Sequence, residues 1–110
     1  MKEDNAAKYE VSIGEVITIK VTPIAVAAFV AAARDGAKMT PEPGTAGTNP
    51  TYVFTVNDSS MVKMEFSFPG APSTAKYDVV VTGSGGGDTG SFTILQTASI
   101  KAPTIRFMVV

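Results

Sequence analysis

A chain of 110 residues and 11.4 kDa suits one compact domain, and two separate cores would be hard to fit. Hydrophobic residues at 45% against 17% charged exclude a disordered tail, and a net charge of −1 excludes a basic field for nucleic acid or an anionic membrane. Histidine, cysteine and tryptophan are absent, which removes thiol nucleophiles, Ser-His-Asp triads, structural zinc sites and disulfides.

Residues 1–8 read as a polar N-terminal extension, and Met1-Lys2-Glu3-Asp4-Asn5 has no signal-peptide character. No apolar run approaches the ~18 residues of a membrane span. Period-two alternation then begins with Tyr9/Val11/Ile13 and continues with Ile17/Ile19/Val21 against Thr18/Lys20. Ile24 to Arg34 is ambiguous. Its alanines favour helix, with Thr22-Pro23 as a start, whereas the following Asp35-Gly36 hairpin signal favours a strand over Phe29 to Arg34.

Thr40 to Pro50 reads as a loop, and Tyr52/Phe54/Val56 as the next strand. After the turn Asn57-Asp58-Ser59-Ser60 comes the clearest alternation. Val62, Met64, Phe66 and Phe68 point one way, and Lys63, Glu65 and Ser67 the other, as in an antiparallel sheet with one wet face. Pro69-Gly70-Ala71-Pro72 punctuates, Tyr77/Val79/Val81 follows, and Gly83 to Gly90 leads into Phe92/Ile94. These strands predict an all-β sandwich of seven to eight strands over residues 9–97.

Residues 98–110 add Ile105/Phe107/Val109, an apolar strand with three readings: an edge or closing strand of the same sandwich, a strand that pairs with a neighbouring module or a second copy, or a boundary inside a longer chain.

The order of these pieces resembles an immunoglobulin-like domain of the intermediate set found in modular proteins. Val11 to Val21, with Gly14-Glu15 before the alternation, resembles the turn into strand B, and Val21 stands where the family has a cysteine. Arg34-Asp35-Gly36-Ala37-Lys38-Met39 resembles the end of strand C and its turn, the family tryptophan falling near Ala32. Ser73 to Val79 resembles the approach to strand F, with Tyr77 at the tyrosine-corner position and Val79 in place of the second cysteine. Phe92-Thr93-Ile94 resembles strand G.

The resemblance implies that a Val21–Val79 contact replaces the bridge. A native disulfide in a small domain contributes ~2–5 kcal/mol, so Phe54, Met64, Phe66 and Phe68 would have to compensate. Tyr52 to Val56 followed by Tyr77 to Gly83 also resembles, faintly, bacterial pre-peptidase C-terminal domains, without the acidic strand that family places between them.

Candidate chemistry is sparse. Gly85-Gly86-Gly87-Asp88-Thr89-Gly90 has dinucleotide-binding spacing, but strand residues follow where a helix N-terminus is needed. The same loop partly matches calcium-binding glycine-aspartate repeats, yet occurs once. No spacing nominates a pair of carboxylates for acid-base work, and Ser59, Ser60 and Ser73 near Lys63 and Lys76 read as turn serines. Asn57-Asp58-Ser59 is a glycosylation sequon.

The expectation is a non-catalytic structural or binding module of a surface, extracellular or virion protein, acting in adhesion, spacing or assembly; zero cysteine fits a cytosol equally well. It needs no cofactor and binds no metal. Its partner is a protein or neighbouring module, with homo-oligomerisation through the last strand as one route. The alternative is a carbohydrate-binding or pre-peptidase-like accessory domain of a secreted enzyme. Contacts are expected at Asp35, Gly36, Asn57, Asp58, Gly85, Gly86 and Asp88, because function on such scaffolds sits in loops, and Ile105, Phe107 and Val109 form the candidate pairing strand.

Overall fold

A computed structural model describes residues 1–5, 7–59, 61–72, 74–95 and 104–110. The expectations for Ser60, Ser73 and residues 98–103 lie outside the described residues. Two sheets pack face to face, and no described residue is helical. The strands are β1 (Lys2–Asn5), β2 (Lys8–Val11), β3 (Val16–Pro23), β4 (Ala31–Arg34), β5 (Ala37–Lys38), β6 (Thr51–Thr55), β7 (Val62–Ser67), β8 (Tyr77–Gly83), β9 (Gly90–Ile94) and β10 (Thr104–Val109). One sheet runs β1-β2-β10-β7-β4-β5 and the other β6-β3-β8-β9.

Alternating side chains build the core as expected. Ile17, Ile19 and Val21, with Tyr77, Val79 and Val81, face Met64, Phe66, Ile105 and Phe107, and all are buried. Ring pairs stitch the layers: Phe54 meets Phe107 edge-on at 5.3 Å, and Tyr52 lies 6.3 Å from Phe66. Such pairs add about 0.5–1.5 kcal/mol each beyond burial.

Several expectations are corrected. Ten strands form among the described residues rather than seven or eight: short β5 follows the Asp35-Gly36 turn, and the polar start is itself a strand, β1, which pairs with β2 in an antiparallel hairpin turned at Ala7, whose φ is +59°. The stack is not wholly antiparallel, since β10 runs parallel to β2. Ile13 lies in the turn between β2 and β3 and is 61% exposed, so the first alternation ends at Val11.

The alanine segment is strand only over Ala31–Arg34, and Phe29 lies outside it with its ring exposed. Alanine's helix propensity loses here to tertiary pairing: β4 is hydrogen-bonded to β7 from Ala31↔Ser67 to Arg34↔Met64.

Val21 and Val79 are cross-strand neighbours within one sheet, not a pair joining the two layers as the resemblance implied. Tyr77 also reaches further than a tyrosine corner, whose hydroxyl bonds backbone a few residues upstream. Its hydroxyl accepts from the N–H and donates to the carbonyl of Ala28, 49 positions away. This clamps the irregular chain before β4 onto the start of β8.

β10 sits inside its sheet, antiparallel to β7 on one side and parallel to β2 on the other. Its ladder to β7 spans Thr104 to Phe107 and its ladder to β2 spans Arg106 to Val109, so Ile105, Phe107 and Val109 all lie in a strand held within the sheet, as the closing reading has it. Only Arg106 and Phe107 are paired on both sides, so a second copy pairing through the middle of this strand would have to displace β2 or β7.

Candidate functional site

The expected loops gather at one end of the stack. β4 ends there at Asp35-Gly36, β6 at Asn57-Asp58, and β8 at the glycine-rich loop, while β3 and β7 begin there. Hydrogen bonds tie this end together. Gly14 donates to Val56 O at 2.7 Å and Val56 to Glu15 O at 2.9 Å. Asp35 stands at φ +50°; its N–H donates to Lys63 O at 2.8 Å, and its carboxylate accepts from Lys63 N–H at 2.9 Å. Asp35 therefore pins its own hairpin turn to β7 and has a structural task.

Gly85, Gly86 and Asp88 also have partners within the chain. The Met1 ammonium donates to Gly86 O at 2.7 Å and to Glu15 Oε2 at 2.9 Å, and Asp88 Oδ2 accepts from the Glu3 N–H at 3.0 Å. Gly85 N–H donates to Glu15 Oε2 at 3.2 Å, and Ser12 N–H to Glu15 Oε1 at 3.1 Å. Burial pushes the Glu15 carboxyl up, but these hydrogen bonds and the ammonium charge outweigh it and hold the group below its usual range. The glycines allow this close approach: a Cβ on Gly83 would sit 2.2 Å from Glu15 Oε2. Glu15 stands in register with Ile17, Ile19 and Val21 on the inner face, and its side chain is folded inward as the acceptor hub of the loop. The available signals were its place beside Gly14 and its spacing of two before Ile17.

Among the described residues no group of three or more acidic side chains is placed to hold a metal ion. No described helix is long and apolar enough to cross a membrane.

A concave surface lies along the β4–β5 hairpin. Three clefts share one wall, Lys38 of β5. One, of about 350 Å³, has a floor of Ala31 and Ala33 beside Glu65 and Ser67. A second, of about 410 Å³, is lined by Phe29, Met39, Pro41, Tyr52 and Pro69. The third, of about 250 Å³, opens between the layers beside Arg34, Thr40, Val53 and Phe54. Small side chains on β4 make the hollow: an alanine leaves open the volume that a larger outward side chain would fill. Burial pushes the Tyr52 hydroxyl pKa up, so the hydroxyl stays protonated at neutral pH. It donates to Val30 O at a long 3.4 Å.

The clefts lie on the hairpin that Asp35 and Gly36 turn, but other residues supply most of their walls. Lys38, Met39, Arg34 and the 66% exposed Phe29 line the clefts; Gly36 contributes to one of them, and Asp35 to none. The six alanines between Ala25 and Ala33 were the available signal.

No protein-family model matches the chain, and no curated protein or solved structure is significantly similar to it.

Proposed function

We propose that this β-sandwich domain is a non-catalytic binding or structural module of a surface, extracellular or virion protein, and that it works through the β4–β5 margin. The observation that carries this reading is the meeting of three clefts at Lys38, floored by alanines and walled by Phe29, Met39 and two prolines. Such walls offer contact area and shape for recognition, and the Lys38 and Arg34 cations to orient a partner. The rigid stack behind supports it, since Ala32 and Phe66 beneath the floor are buried core residues.

Backbone chemical-shift mapping of the labelled domain against a panel of extended peptides and neutral oligosaccharides tests this. Shifts should cluster on Ala31, Ala33, Lys38 and Met39, and Ala33→Arg should abolish them while leaving the fold intact. Hits that map instead to the Gly83–Gly90 end, or turnover of any probe, would overturn it.

The accessory-domain reading has one observation in its favour. The exposed Phe29 ring beside Pro41 and Pro69 is a surface on which a sugar could stack. Oligosaccharide binding lost in Phe29→Ala would favour it.

A further inference from the structure

We propose that the outer edge of β6 takes up an extended acidic peptide segment as an added strand, its carboxylates held by Arg34 and Lys38. The inference rests on the binding-module reading and names the partner's chemistry.

Among the described residues β6 is the terminal strand of its sheet and pairs only with β3. Val21 N–H donates to Pro50 O at 3.0 Å and Val56 N–H to Glu15 O at 2.9 Å, so the even-numbered positions turn their backbone groups toward β3. Alternation along an antiparallel ladder then points those of Thr51, Val53 and Thr55 outward. Glu42 N–H takes the Thr51 carbonyl at 2.8 Å. Among the described residues nothing bonds the outward groups of Val53 and Thr55. An open edge of this kind is a template for one more strand.

The charge beside that edge selects the strand. Arg34 is half-buried, its guanidinium carbon 5.1 Å from the Phe54 ring centroid. Lys38 lines the same cleft as Val53. Neither cation forms an ion pair with a described residue. A guanidinium resting on an aromatic face keeps its N–H fork free for a carboxylate. Glu42 guards the Thr51 end, which places the incoming acid opposite Val53 and Thr55. A second copy of this chain is a poor occupant. Two β6 edges related by a two-fold axis would bring both Arg34–Lys38 pairs together, and like charges oppose that.

The test uses two capped peptides, acetyl-Thr-Val-Glu-Val-Glu-Val-Thr-amide and its counterpart with lysine for glutamate. Titration of the labelled domain with the acidic peptide should shift the Val53 and Thr55 amides and slow their hydrogen exchange. Affinity by calorimetry should fall at least tenfold in Lys38→Glu, and likewise in Val53→Pro, which removes an outward N–H and no ladder bond. Equal binding of the basic peptide, no binding at millimolar concentration, or undiminished binding by folded Lys38→Glu would overturn the proposal. Acidic-peptide shifts confined to the Phe29 cleft would leave the module reading standing and overturn this one. Self-association by light scattering that Val53→Pro abolishes would assign the edge to a second copy, and overturn it also.

Discussion

Two buried tyrosines offer the same one-atom deletion with opposite expected outcomes. Tyr77→Phe removes the hydroxyl that holds both backbone groups of Ala28. Ala28 is itself buried, so its N–H and C=O are left without a partner. An orphaned buried group costs about 1–3 kcal/mol, and the Ala28 site lies near the surface, so we take the low end twice and expect a loss of about 2 kcal/mol. At roughly 4 °C per kcal/mol for a domain of this size, the midpoint should fall by about 8 °C.

Tyr9→Phe deletes a hydroxyl that has no hydrogen-bond partner among the described residues and packs against Gly90. Burial, with the Glu3 charge adding to it, pushes the Tyr9 pKa up, so only a neutral desolvated O–H is removed. Stability should stay level or rise by up to about 1 kcal/mol. The assay is urea unfolding followed by far-UV circular dichroism, because the chain has no tryptophan to report. If the two variants agree within about 0.5 kcal/mol, the hydrogen-bond reasoning is refuted.

Glu15→Gln should lower stability at neutral pH and flatten the acid limb of its pH profile. The folded carboxyl lies below its unfolded value near 4.5, so its contribution is complete above that pH and fades as pH falls through the folded value; a limb as steep as the parent's would contradict this. Gly90→Ala places a Cβ 2.2 Å from the Tyr9 hydroxyl and 2.3 Å from ring carbons, and should cost about 1–3 kcal/mol in the same unfolding assay. Removing residues 104–110 takes away the fully buried Ile105 and Phe107 and strips a strand from inside its sheet, so cooperative thermal unfolding should vanish. A shortened chain that still melts cooperatively would show that β2 and β7 can close without it.

The sequence by itself determined the layers. Strict alternation in Val62 to Phe68 and in Ile17 to Val21 can bury one face only as a sheet, and the absent cysteines left apolar contact as the means of sealing it. Turn residues at Asp35-Gly36 and Pro69-Gly70 likewise marked real boundaries. Pairing was decided elsewhere. Nothing local tells Val21 that Val79 will lie beside it rather than across from it, or tells Thr104–Val109 to slot between β2 and β7, because each depends on partners 39 to 98 positions away. The fate of polar Lys2–Asn5 was hidden for the same reason: intrinsic preference is worth tenths of a kcal/mol per residue, and a ladder offered by a neighbouring strand outweighs it, as it does in alanine-rich Ala31–Arg34, where the Asp35-Gly36 turn had pointed to a strand. The clefts at Lys38 and the open edge at Val53 are the residue of that pairing, places where short β5 and terminal β6 leave the two sheets uncovered.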